Sequence, residues 1–403
     1  MNGVAGPSAA AGGPLSGLLV VALEQAVAAP LCTRHLGDLG ARVVKIENRD
    51  GGDFTRDYDE SVRGMSAAFV WLNRNKESVT LDLKHPAGRD LLDRLLCRAD
   101  VFVQNLAPGA AARLGLDAAS LVAVHPRIVA VDMSGYGEGG PLEHKRSYDL
   151  LVQAEAGSCS VTGVPGAYAK PGIPVADVGS AMYAYSSILA ALYQRELTGR
   201  GTAISVSMMD TIAEWMGPFL HYTLHTGEER QPNGISSPTV APYGSYPTSD
   251  QQTVVLGTTN DREWQRLATE LLGRPDLAAD PRFGSNDARC RLRAELDAVI
   301  AAWTCERTLE AVQRLADAAG IGNARLNTVR DVLDHPQLTE RGRWHEVDSP
   351  VGPVPVLATP PVSPSWATRM EPIPGLGEHT DALLAELGCS ADDIRALHAD
   401  EVV

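Results

Sequence analysis

From Gly17 to Gly137 the chain alternates short, continuous apolar blocks with stretches whose apolar residues recur at helical spacing. GLLVVALEQ predicts a buried strand, APLCTRHLGDLG a short helix closed by Gly40, and ARVVKIEN a second strand. The unit recurs in SVTLDLKHPAGRDLLDRLLCRADVFVQN. There a strand near Val79 leads to a helix with Leu91, Leu92, Leu95 and Leu96 on one face, and ADVFVQN is the closing strand. RIVAVDMSGYG adds a strand that ends in a glycine-rich turn. Strands alternating with crossover helices predict a parallel sheet, with ligands beyond the carboxyl ends of its strands.

A helix is predicted over 178–197, then the breaker TGRGT, the strand AISVSMMD and TIAEWMGPFLHYTL. From Thr226 to Thr239 the texture turns polar, with glycine and proline. VAPYGSYPTSDQQTVVLGTTNDREWQRLATELLG then opens with a hairpin, and Asn260 or Asp261 can cap the helix carrying Trp264. This predicts a smaller α+β domain running to about Asn327. The Pro-rich SPVGPVPVLATPPVSPSW, PGLGEHT and the helix DALLAELG follow.

A length of 403 residues is more than one ordinary domain holds, in keeping with two units. With 44% hydrophobic and 21% charged residues and no apolar run approaching a membrane span, the chain reads as a globular protein without a membrane partner. The formal charge of −15, without a Lys/Arg run, argues against nucleic acid. The opening MNGVAGPSAAAGGPLSG has neither a basic n-region nor an apolar core, so residues 1–16 are expected to be a flexible terminus and the protein cytoplasmic. Cys32, Cys97, Cys159, Cys290, Cys305 and Cys389 form no CxxC pair and are expected to be reduced and mostly buried. No metal site is indicated.

A parallel sheet with Glu47 at the end of its second strand invites a nicotinamide reading. The first turn opposes it: a dinucleotide fingerprint needs glycines there for close approach of pyrophosphate, and LEQAVAAP has none. Asp177 is the other candidate. It follows an extended segment, since Pro174 disfavours helix at Ile173, and directly precedes a helix-compatible run. Two readings stay open: a helix N-cap, or a carboxylate kept ionised by N–H donors, with Gly179 allowing a ligand close approach, and so usable as a nucleophile.

Several stretches, in order over nearly the whole chain, carry a resemblance: APLCTRHLGDLGARVVKIE, RNKESVTLDLKHPAGRDLL, ADVFVQNLAPGAAARLGLD, SGYGEGGP, VADVGSAMYAYSSILAALYQRELTGRGTAISVSMMD, the NDREWQRL helix and PGLGEHT. Together they resemble the class III coenzyme A transferases, the family of formyl-CoA transferase, carnitine CoA-transferase and the α-methylacyl-CoA racemases. The resemblance implies a Rossmann-like large domain, residues 17–225 and 328–403, a small α+β domain with linkers, 226–327, and an interlocked homodimer. It implies Asp177 as the catalytic nucleophile, passing through an aspartyl anhydride and an aspartyl-CoA thioester. The substrates are then an acyl-CoA and a small carboxylic acid, with no tightly bound cofactor.

By the same resemblance Tyr148, Asp149, Val27 and Gly179 line the substrate side, and Asn105, Arg113, Arg146 and Lys45 contact CoA. The racemases place a histidine immediately before the acid matching Asp149; here the residue is Tyr148, and His144 lies on a charged turn. Racemisation needs an acid/base on both faces of the α-carbon, so transfer is favoured, with a racemase and a non-catalytic CoA-ester-binding protein as alternatives. Where formyl-CoA transferase has a glutamine in the first turn this chain has Val27, and its run of glycines is replaced by QPNGISSPTVAP. Both changes point away from oxalate or formate and towards a larger acyl group, succinyl by family frequency.

Overall fold

The computed structural model describes residues 12–403. Residues 1–11 of the expected flexible terminus lie outside the described residues. The remainder of that segment is anchored, since the Leu15 N–H donates to the Leu39 carbonyl at 3.0 Å and its side chain packs on the core.

Six strands form one parallel sheet: β1 (Leu19–Leu23), β2 (Arg42–Glu47), β3 (Lys76–Thr80), β4 (Val101–Gln104), β5 (Val129–Ser134) and β6 (Thr202–Ser207). Their order is β3-β2-β1-β4-β5-β6. The register sets Val20 beside Val43 on one side and Val101 on the other, and Ser134 beside Ser207. The order reverses between β1 and β4, which opens a crevice above their carboxyl ends.

The strands are continuously apolar because both faces are covered. Leu19, Val21, Leu23, Val44 and Ile46 pack with Leu91, Leu92, Leu95 and Leu96 of α2 (Pro86–Leu96). Val20, Val43, Val101, Val103, Val129 and Val131 pack on α1 (Ala28–Asp38) and, through Ala181, Ala184 and Ile188, on α4 (Val175–Thr198). Each such side chain contributes about 1.5–3 kcal/mol when fully buried. Between them in sequence lies α3 (Asp149–Glu155), and α5 (Met208–Trp215) follows β6.

Helix α4 begins three residues before its expected start at Val178. It is long and apolar enough to cross a membrane by length and composition, against the expectation that no such run exists. Its apolar stripe is used on the sheet instead. Only Cys32 is buried, against the expectation that most of the six would be; Cys97 and Cys305 are exposed, the other three half-buried, and all six are free.

The open edge of β3 is covered by the PGLGEHT segment. The His379 N–H donates to the Ser78 carbonyl at 2.9 Å and the Thr80 N–H to Thr380 Oγ1 at 3.0 Å. Such a cover removes an edge that would otherwise template pairing with another strand. Val402 and Val403 then enter the α2-side core.

Compactness divides the chain into two units. One holds the residues up to Ala156, Pro171–Gly217 and Leu338–Val403; the other holds Gly157–Lys170 and Pro218–Gln337. Segment 157–170, part of 17–225 in the expected division, therefore goes with the second unit. That unit has an antiparallel sheet in which Thr253–Gly257 pairs with both Tyr243–Pro247 and Gly322–Arg325. Trp264, Phe283, Leu296, Ile300 and Val312 fill its core. Of the two candidate caps Asn260 serves, its Oδ1 accepting the Glu263 N–H at 3.0 Å.

Candidate active site

A helix that feeds a parallel strand runs opposite to it, so the N-termini of α1 and α4 both stand at the carboxyl edge of the sheet. On α4 the sheet-facing stripe reads Ala181, Ala184, Ile188, Ala191, Leu192 and Arg195. One turn before Ala181 the same stripe begins with Asp177. Asp177 thus points inward at the height where the sheet ends, half-buried above the crevice.

This position corrects the cap reading. The N-cap of α4 is Pro174, and Asp177 is the third helical residue. The capping acid is Asp149, from the first turn of α3: its Oδ1 accepts the N–H groups of Ala176 at 2.9 Å and Asp177 at 3.3 Å, and its Oδ2 accepts Gln153 Nε2 at 2.6 Å. Among the described residues none donates to the Asp177 carboxylate. Burial, with the Asp149 charge added, pushes the Asp177 pKa up to about 7. The carboxylate is therefore basic, not the strongly ionised group that N–H donors would have made.

Gly179 also has a different task from the one expected. A Cβ there would lie 2.6 Å from Cη2 of Trp215 and 2.7 Å from Cγ2 of Thr211, so the glycine admits α5 and not a ligand. Ser180 is likewise turned into the protein, bonded to the Ala176 carbonyl at 2.7 Å and Thr211 Oγ1 at 3.2 Å.

The crevice floor is the turn after β1. Ala26 takes a left-handed φ of 61° there. Asn105, after β4, bridges the point where the strand order reverses: its Oδ1 accepts the Gln25 N–H at 2.9 Å and its Nδ2 donates to the Gln25 carbonyl at 2.8 Å. Its amide is thus committed to holding the turn. Val27 is the N-cap of α1, half-buried against the core.

Lys45 does not reach the surface. Its ammonium is fully buried, 2.7 Å from Asp53 Oδ2 and 3.2 Å from the Glu24 carbonyl. In this arrangement it braces the turn from beneath, instead of presenting its ammonium to CoA. Glu47 is equally committed: burial opposes its ionisation, but Arg56, Lys45 and Ser78 outweigh that and bring its pKa down to about 2. No ribose hydroxyl has access to it.

Glycines shape the turn after β5. A Cβ on Gly135 would meet Ser147 Oγ at 2.0 Å, while Gly137 and Gly139 have φ of 80° and 78°. The chain folds back here to present Tyr148, 59% exposed, at the start of α3. Arg113, Arg146 and His144 are exposed, and neither arginine forms an ion pair among the described residues. No group of three or more His, Cys, Asp or Glu among the described residues could hold a metal ion.

Tyr58, which the sequence reasoning missed, lies near the site: burial raises its phenol pKa, and the charges of Asp53, Asp177 and Tyr148 add to the effect. Its only sequence signal is its place in the GGDFTRDY loop, at the carboxyl end of β2, where ligands of such sheets bind.

Residues 15–380 match CoA-transferase family III. The chain belongs to that family. It is 32% identical over 400 residues to the succinyl-CoA–D-citramalate CoA-transferase of Chloroflexus aurantiacus, covering 97% of this chain and 98% of that one. The succinate–glutarate CoA-transferase of Agrobacterium fabrum is 33% identical over 384 residues, covering 93% and 96%. A crystal structure of a CAIB/BAIF family protein from Brucella suis superposes with a TM-score of 0.80 at 33% identity, covering 93% of this chain and all of that one. The molecule is thus an enzyme, a CoA-transferase whose substrates are CoA thioesters, and the resemblance read from the ordered motifs holds.

Proposed function

We propose that this CoA-transferase moves CoA from a dicarboxylyl-CoA donor such as succinyl-CoA to a carboxylic acid, with Asp177 as nucleophile. The observation that carries the reading is the Asp177 carboxylate itself: inward-facing at the sheet's carboxyl edge, basic, and without a donor to quench it. Succinyl-CoA figures in the name of the first relative above and succinate in that of the second, which supports the donor class. Val27 in place of a polar side chain in the first turn suits an acyl group with an apolar chain.

The chemistry balances as four transfers. A carboxylate oxygen of Asp177 attacks the thioester carbonyl, the C–S bond breaks, and CoA thiolate leaves with the electron pair, giving a mixed anhydride. The thiolate attacks the Asp177 carbonyl carbon and releases the donor acid, leaving an aspartyl-CoA thioester. The acceptor carboxylate attacks that carbonyl and expels thiolate. Finally the thiolate takes the new acyl group, and Asp177 is a carboxylate again. Each intermediate keeps the activation of the original thioester, which is why a carboxylate suits the task.

Arg113 and Arg146, exposed and unpaired beside the crevice, are the proposed phosphate contacts of CoA, and Asn105 positions the turn over which CoA lies. Tyr148 and Tyr58 flank the acyl group. The enzyme acts as an interlocked homodimer in this proposal, supported by Met182, Tyr183, Tyr193 and Leu197, which stay exposed along α4. The racemase reading lacks its second acid/base, since Tyr148 stands where a histidine is needed.

The test is to mix the enzyme with succinyl-CoA and an isotopically labelled acid from a broad panel and follow labelled acyl-CoA by mass spectrometry. Label appears in CoA ester with at least one acid, and a hydroxylamine-sensitive mass increase appears on the peptide containing Asp177. No labelled ester across the panel, or an adduct on another residue, refutes the assignment.

A further inference from the structure

A carboxylate in the first turn of a helix ordinarily collects the free N–H groups there, which stabilise its charge and blunt its reactivity. Helix α4 offers such donors, because its own N-cap is a proline without a side-chain acceptor. They do not go to Asp177. Both the Ala176 and the Asp177 N–H are taken by Asp149 Oδ1, and Asp149 is held from its other side by Gln153 within α3. The nucleophile's own backbone is thereby fixed by an acid from another helix, while its side chain is left bare.

We infer that Asp149 is a positioning residue that occupies the N-terminal donors of α4 and sets its charge beside Asp177, so that the nucleophile is held in place with its carboxylate unbonded. The inference rests on the assignment of Asp177 as nucleophile. It deepens the role of Asp149 from a lining residue to one that tunes the reacting group. The direction of the Asp177 pKa, raised by burial and then by Asp149, agrees with it. The ionisable groups near Asp177 are Asp149 from α3 and Tyr58 from the loop after β2, with Tyr148 adjoining Asp149; Asp149 is the charge that acts on Asp177, and the Tyr58 phenol is raised from its ordinary value.

Asp149→Asn separates the two effects, since the amide oxygen still accepts the α4 N–H groups while the charge is gone. Asp149→Ser, also a neutral cap, guards against a folding artefact in one variant. The full-length enzyme is mixed with succinyl-CoA between pH 5 and 9, quenched, and the Asp177 adduct is trapped with hydroxylamine at one fixed pH and quantified. In the wild type adduct formation rises with pH through about 7. In both variants the midpoint falls by about one pH unit, and the plateau rate falls several-fold as the carboxylate loses basicity. An unchanged midpoint in folded Asp149→Asn and Asp149→Ser overturns the role of Asp149 alone. Absence of any Asp177 adduct in the wild type overturns the nucleophile and this inference together, a result distinguishable from the first.

Discussion

The two ends of helix α4 carry one charge each on the same sheet-facing stripe, and they are treated in opposite ways. At the amino edge of the sheet Arg195, 4% exposed, meets Asp100 Oδ1 at 3.0 Å and the carbonyls of Asp100 and Arg127 at 3.4 Å. At the carboxyl edge Asp177 meets a like charge and, among the described residues, no donor. A buried charge without a partner is costly, and a fold retains one only where something else demands it. The contrast marks one end of the helix as an anchor and the other as the place for the proposed nucleophile.

The strongest way to break the comparison is Asp177→Asn, which keeps shape and removes charge. Turnover of succinyl-CoA with its acceptor acid falls by at least about a thousand-fold, as expected when a covalent nucleophile is lost, and CoA binding survives in calorimetry. The same variant reports on stability. The folded pKa of about 7 exceeds the ordinary 3.8, so the native state binds more protons than the unfolded one between those values, and stability falls as pH rises through that window. Asp177→Asn escapes the loss: it is more stable than wild type at pH 8, by up to a few kcal/mol at about 1.4 kcal/mol per pH unit, and little different at pH 4. Equal urea midpoints at pH 8 contradict the raised pKa.

Arg195→Met attacks the other end. Removing one partner of a largely buried pair costs about 3 kcal/mol, with turnover per folded molecule unchanged, measured by urea titration alongside the transfer assay. A large activity loss without destabilisation would erase the distinction between anchor and reactive end. Gly179→Ala has the smallest effect, about 1–3 kcal/mol of stability from crowding Trp215 and Thr211, read in thermal melts. Improved stability in that variant shows that α5 does not need the glycine.

The parallel sheet and its crossover helices were legible in the sequence, because continuous apolar blocks and helical spacing each report a local periodicity. The direction of a single side chain was not. Pro174 and Val178 bracket the start of α4, but which residue is third in the helix, and therefore inward, decides whether Asp177 caps the helix or faces the crevice. Asp149 became the cap through a contact between residues 28 apart in sequence, which no local rule reveals. Lys45 followed a similar course: an alternating strand pattern cannot say that its ammonium meets Asp53 beneath the turn. Gly179 reads from sequence as room for a ligand, and only the neighbouring helix shows that the room is already filled.

The cover over the β3 edge has a consequence for the order in which the protein is made. Ser78 and Thr80 bond to His379 and Thr380, partners about three hundred positions downstream, and Asp82 bonds to the Val402 carbonyl. A nascent chain has emitted all six strands of the parallel sheet, and then the whole stretch Pro218–Gln337, before the strip that seals the β3 edge leaves the ribosome. During that interval β3 stands open. The intervening unit, whose core is drawn from Tyr246 to Ile321, can close without waiting for it. Synthesis therefore delays completion of the parallel-sheet unit until after the other, and the window between the two is when this enzyme is most exposed to strand-edge association.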